Sequence, residues 1–126
     1  MIVLDTHAWI WLVDDPDRLG KGARRALASS RLRAVAAISC WEVAFLAARE
    51  RVVFDRDTVT WMEDALAAEG IEILPLTPAV AAVGAQLQKP RDPADRQIIA
   101  SALVHGADLV TVDETIAKSG LVRTIW

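Results

Sequence analysis

The chain holds one cysteine and two histidines in 126 residues, and each scarcity removes a class of chemistry. Cys40 has no second thiol with which to close an internal disulfide, and its neighbours Trp41 and Val43 predict a buried sulfur rather than a nucleophile. His7 and His105 are too isolated for a paired metal-ligand motif, which disfavours zinc, and His105 beside Gly106 reads as the complement of a helix C-terminus. Ser101 has neither a neighbouring histidine nor a preceding glycine elbow, so serine-hydrolase chemistry lacks its parts. Gly20-Lys21-Gly22 lacks the spacing and the preceding strand of a phosphate-binding loop. No apolar run reaches the roughly 18 residues that cross a bilayer, because charges such as Glu42 and Arg49 interrupt the best candidate. No basic leader with an apolar segment and cleavage site precedes Ile2–Leu4, so the expected location is the cytoplasm. Repeats, low-complexity tracts and linkers are also missing, and the length suits a single domain over residues 1–126.

What is present is apolar and mildly acidic. Hydrophobic residues make up 53% of the chain and tryptophan occurs five times, which leaves apolar surface for a partner and makes self-association the expectation. Net charge is −3, the wrong sign for a protein that grips nucleic acid across a broad face. The cations are nevertheless grouped. Lys21, Arg24, Arg25, Arg31 and Arg33 form one basic region, and Lys89, Arg91 and Arg96 surround a pair of aspartates. Either group reads equally as a solvated helix face or as a rim that steers phosphate.

Short apolar runs alternate with helical patterns along the whole chain. Ile2–Leu4 reads as a buried strand, Thr6–Val13 as a helix broken by Asp14-Asp15-Pro16, Lys21–Ser30 as a helix and Leu32–Ile38 as a strand. Ser39 and Glu42 match a capping box, predicting a helix from Ser39 to about Glu50. Thr58–Glu69 has helical spacing and stops at Gly70, Ile71–Leu74 is a strand, and Thr77-Pro78 opens a helix to Leu87. Asp92-Pro93 opens another that ends near His105, followed by strand Leu109–Val112, a short helix over Asp113–Ser119 and a last strand over Val122–Trp126. Alternation with crossover-length connections predicts an α/β protein whose parallel sheet is covered on both faces.

Four acids fall where apolar runs give way to polar loops or helix starts: Asp5, Glu42, Asp95 and Asp113. Each alone reads as a helix cap or a first-turn acid; Asp92 satisfies the cap before Pro93, leaving Asp95 to face a crevice. Together they read differently. The loop ends of a parallel sheet converge at one edge, and like charges gathered there resist joint ionisation until a divalent cation supplies the missing positive charge.

The segments Val3-Leu4-Asp5-Thr6-His7, Ile38-Ser39-Cys40-Trp41-Glu42-Val43-Ala44, Asp92-Pro93-Ala94-Asp95-Arg96 and Leu109-Val110-Thr111-Val112-Asp113 resemble, in order and spacing, the PIN-domain family and within it the VapC-like toxins. That resemblance covers essentially the whole chain. It implies a PIN-like three-layer α/β/α sandwich with a central parallel sheet, and a ribonuclease dependent on Mg²⁺ or Mn²⁺. It further implies the quartet Asp5, Glu42, Asp95 and Asp113 as catalytic and metal-binding residues, an RNA substrate, a cognate antitoxin and a homodimer. Two positions depart from the pattern: Pro90 stands where a histidine is expected, and Leu46 where similar chains often carry lysine.

On this reading Asp5 and Asp95 bind one ion directly, Glu42 and Asp113 complete the site through water or hold a second ion, and Arg96 or another cation holds the RNA backbone. Two rivals remain. An aspartate-nucleophile phosphohydrolase would use Asp5, although His7 stands where its second acid belongs and no lysine is clearly placed; a non-catalytic interaction module would use only the tryptophans and apolar helices.

Overall fold

The computed structural model describes residues 1–126. Ile2–Leu4 form strand β1, and all three side chains are buried because helices cover both faces of the sheet they enter. After it come α1 (Thr6–Asp14), a 3-10 turn at Pro16–Arg18, α2 (Lys21–Ser29), β2 (Arg33–Ala36), α3 (Ala37–Ala48), α4 (Thr58–Glu69) and β3 (Ile71–Leu74). The second half comprises α5 (Pro78–Gln86), α6 (Pro93–Val104), β4 (Asp108–Val110), α7 (Glu114–Ser119) and β5 (Thr124–Ile125). Every strand pairing is parallel, in the order β3-β2-β1-β4-β5. The architecture is the α/β/α sandwich that the sequence implied.

Two apolar layers hold the sheet between them. Successive strand residues point to opposite faces, so Ile2 and Leu4 pack with Trp9, Leu27, Val43 and Trp61, whereas Val3 packs with Ile98, Ile99, Leu109 and Ile116. The first layer is aromatic at its centre. Trp9 and Trp61 lie 5.6 Å apart between ring centroids, Phe54 stacks on Trp61 at 4.1 Å, and the Trp61 indole N–H donates to Asp14 Oδ1 at 3.0 Å. Of Trp9 and Trp11, then, Trp9 is the core residue and Trp11 is half-buried.

Most boundary signals work as read. Thr77, Asp92 and Asp113 each accept a first-turn amide proton at their helices, Gly70 closes α4 in the left-handed conformation at φ 60°, and Asp57, not singled out in the sequence, caps the start of α4. The capping box at Ser39 is the exception. β2 ends at Ala36, Ala36 itself occupies the cap position with no side-chain bond, and α3 is already helical at Ser39. Residues three apart define one helical face as well as a capping box, and here that face turns inward, so Ser39 is fully buried. Cys40, expected to be buried, is only half-buried.

The basic stretch Lys21–Arg33 is partly structural. Arg24 donates to the carbonyls of Leu19 and Asp17, and Arg33 to the Leu27 carbonyl and Glu69 Oε2 at 3.1 Å. No helix is long and apolar enough to cross a membrane.

Gly22 lies in α2 where the backbone of Trp126 crosses it, and a Cβ there would overlap the Trp126 carbonyl oxygen. Replacing a helix-interior glycine by alanine ordinarily stabilises by about 1 kcal/mol. Gly22→Ala is instead expected to lower the thermal midpoint by roughly 3–8 °C, read by circular dichroism. A raised midpoint would show that the C-terminal segment yields without cost.

Candidate metal centre

The site grows from the C-terminal edge of the sheet around β1, where the strand order runs outward to β2 on one side and to β4 on the other. That reversal is where open parallel sheets leave a crevice. Leu4 pairs with Val110, so Asp5 and Thr111 emerge beside each other, and the Asp5 amide extends the ladder to the Val110 carbonyl at 3.0 Å. Asp5 is 8% exposed, and both of its oxygens are engaged: Oδ1 accepts from the Ala8 amide at 2.8 Å, Oδ2 from the Thr111 hydroxyl. Thr111 Oγ1 in turn accepts from the Asp113 amide at 3.0 Å, so one hydroxyl fastens two of the acids. Asp113 caps α7 through the Ile116 amide at 3.1 Å.

Across β1, Leu4 pairs with Val35, which brings the start of α3 beside the start of α1. The Thr6 hydroxyl lies 2.6 Å from Glu42 Oε1 and 3.0 Å from Ser39 Oγ. With one proton to give, Thr6 donates to the carboxylate and receives its second bond from the Ser39 hydroxyl. Ser39 is thus a support for Thr6, not a cap. The remaining acids arrive on α6, where Asp92 caps the helix by accepting from the Ala94 amide at 2.9 Å and Asp95 occupies the first turn.

Asp5, Glu42, Asp95 and Asp113 all line one crevice of about 420 Å³, together with Asp92. The sequence reading gave Asp92 the capping role alone; it performs that role and faces the crevice as well. Its spacing of three from Asp95 puts both on one side of the helix start, a signal visible in the sequence. His7 and Trp11 also line the crevice. Arg96 does not: its guanidinium donates to the carbonyls of Pro90 and Gln88, fastening the loop before α6. Pro90, the departure from the family pattern, is therefore part of that fastening, while Leu46 packs against the Trp9 core.

The electrostatics are those of crowded carboxylates. Burial, reinforced by the charges of Asp92, Glu42, Asp113 and Asp5, pushes Asp95 up to about 7. Burial also raises Glu42, against the hydrogen bond from Thr6 and with help from the Asp92 charge. Asp5 is raised by burial more than the Thr111 and Ala8 bonds lower it. Fixed donors thus offset only part of the cost of ionising this cluster.

An ionised carboxylate is an acceptor only, and an all-oxygen donor set suits a hard divalent cation. Glu42, Asp92 and Asp95 offer oxygens within 4.8 Å of one another. Octahedral coordination at about 2.1 Å places neighbouring ligand oxygens about 3 Å apart and opposite ones about 4 Å, so small side-chain rotations would bring these three carboxylates to one ion. The residues present fit such a cation.

Residues 2–120 match the family model of the PIN domain. The chain is 37% identical to "Ribonuclease VapC22" of Mycobacterium tuberculosis over 129 residues, covering 99% of this chain and 98% of that protein. Among solved structures, the DNA-bound VapBC of Salmonella typhimurium superposes with a TM-score of 0.73 at 18% identity, covering 98% of this chain and 97% of that one. A toxin–antitoxin complex from Klebsiella pneumoniae gives 0.69 at 21% identity, covering 97% and 95%. With a family model spanning nearly every residue and a relative matched end to end, the chain belongs to the PIN-domain family.

Proposed function

We propose that this chain is a ribonuclease dependent on Mg²⁺ or Mn²⁺ and the toxin of a toxin–antitoxin pair, acting as one unit over residues 1–126. The observation that carries this reading is the convergence of five carboxylates in one crevice, with Asp95 held near neutrality by burial and by its neighbours. The whole-length likeness to a protein named as a ribonuclease supports the choice of RNA. A cognate antitoxin and a homodimer are the proposed protein partners, the latter favoured by exposed apolar side chains such as Trp41, Val59 and Leu76.

Asp95, Glu42 and Asp92 would hold the cation, with Asp5 and Asp113 completing its surroundings directly or through water. The ion, when bound, supplies Lewis acidity to the scissile phosphodiester and acidifies a water for attack. The chain's own residues do the positioning. Thr111 fixes Asp5 and Asp113 relative to each other, and Thr6 orients Glu42 through Oε1, which would leave Oε2 for the cation.

The geometry weighs against Asp5 as a phosphohydrolase nucleophile. Two residues on from Asp5, where such an enzyme carries its second acid, stands His7, and no lysine lines the crevice.

Purified chain, freed of antitoxin and incubated with RNA, is expected to cleave with Mg²⁺ or Mn²⁺ and to stop in EDTA, leaving a generic phosphate ester intact. Asp5→Asn and Asp95→Asn are each expected to reduce cleavage at least about 100-fold while preserving the circular dichroism spectrum. Full activity in either variant would remove that residue from the site.

The raised Asp95 also sets a pH dependence. Its folded pKa of about 7 exceeds the ordinary 3.8, so the native state binds the proton more tightly than the unfolded chain. The resulting stability is complete below about pH 4 and is lost as pH rises through 7. In EDTA, the thermal midpoint of the wild type relative to Asp95→Asn should fall between pH 5 and pH 7.5. Added Mn²⁺ should reverse that fall, because a cation stabilises the ionised form. Parallel pH profiles for the two proteins would show that Asp95 is not the titrating group.

A further inference from the structure

The crevice has a second wall that the acids do not use. His7 and Trp11, one helical turn apart on α1, line it beside Asp5, with ring centroids 5.8 Å apart and planes inclined at 53°. His7 is exposed, while Trp11 is half-buried behind it and braced edge-on by Trp126 at 5.7 Å. The Arg18 guanidinium sits 4.2 Å from the Trp11 ring centroid, and its side chain neither pairs with a carboxylate nor bonds to a carbonyl. The volume of about 420 Å³ exceeds what a hydrated cation needs and falls within the range of sites that hold an organic ligand.

We propose that this wall is a nucleobase subsite: an unpaired base flanking the scissile phosphate stacks on His7, backed by Trp11, and Arg18 holds the adjoining phosphate. The assignment rests on the ribonuclease reading and adds to it the side chains that hold a base beside the cleaved linkage. Two features of the wall point the same way. An exposed aromatic ring beside a carboxylate cluster gives a flat apolar face to a ligand whose phosphate is bound next to it, and single-stranded RNA carries both chemistries at that spacing. Stacking tolerates any base, because every base has a π face. A guanidinium already lying on an aromatic face keeps its N–H groups in one plane, free to meet a phosphate. The acidic wall alone repels RNA; a stacking surface beside it, and the unpaired Arg18 that lies against Trp11 just outside the crevice lining, supply attraction that needs no metal.

The experiment uses the full chain carrying Asp95→Asn, so that RNA survives titration. Fluorescent single-stranded decamers of A, of C and of U, and an abasic decamer with the same backbone, are titrated in Mg²⁺ by anisotropy. The base-bearing decamers are expected to bind roughly 5- to 150-fold more tightly than the abasic one. His7→Ala should remove most of that ratio and His7→Phe should restore it. Arg18→Ala should weaken all four decamers alike and flatten the salt dependence. A ratio near one, a ratio unchanged by His7→Ala, or no binding by any decamer would overturn the subsite. Cleavage of RNA by the wild type distinguishes the two readings: active wild type with a failed His7 series sinks the subsite alone, and inactive wild type sinks the ribonuclease as well.

Discussion

Everything at the sheet edge depends on holding carboxylates together that would separate if they could. Burial and mutual charge raise Asp5, Glu42 and Asp95, which means that the folded chain bears a cost for placing them there. Two apolar layers on either face of the sheet carry that cost. β1 has every residue buried and is flanked by β2 and β4 in a register that leaves the first residue past each strand little freedom. The site is therefore a consequence of the core. An open crevice with flexible acids would let them move apart, and the same residues would then act as ordinary helix caps.

Hydroxyl groups convert that crowding into geometry. Thr111 links Asp5 to the Asp113 amide, and Thr6, braced by buried Ser39, points at Glu42. Each places a donor against a carboxylate in a partly dry setting, where a hydrogen bond to a charged group contributes about 1.5–3 kcal/mol. These bonds lower the pKa values of Asp5 and Glu42 only in part, so affinity for a cation remains while the oxygens are aimed. Asp95 receives no such donor, and burial beside four other acids pushes it up to about 7.

The fold was legible because its signals are local. Thr77-Pro78, Asp92-Pro93 and Gly70 mark helix ends by chemistry that operates within four residues, and each marks the end observed. Ser39 misled because an i, i+3 pair serves a capping box and a helical face equally, and only the tertiary partner, Thr6, decides between them. The acids were legible for a different reason: a parallel sheet sends every strand end to one edge, so acids that follow strands must meet. Asp92 shows the limit of a local signal: its cap uses one oxygen, Oδ1, and leaves the other free for the crevice. His7 and Trp11 could not be placed by spacing, since whether a helix face meets the core or the crevice is settled by how α1 docks on the sheet.

Charge distribution then explains how a chain of net charge −3 can suit a polyanion. Several arginines that a sequence count would credit to nucleic-acid binding are occupied internally: Arg24 and Arg96 by carbonyls, Arg33 by Glu69, Arg56 by Asp55 and Asp64. Lys21, Arg25, Arg31, Lys89 and Arg91 have no such partner, so the cations free to meet a phosphate backbone are fewer than the sequence count but not absent. On the proposed reading short-range attraction adds to these charges, from a cation in the acidic crevice and from the aromatic side chains that line it. Short-range attraction acts only on a strand that can enter the crevice and turn a base toward its wall, so it discriminates by shape and flexibility where a basic face would bind indiscriminately. On that reading, part of the negative charge that argued against nucleic acid in the sequence is gathered in the folded chain into one crevice, where a cation would bridge it to a phosphate.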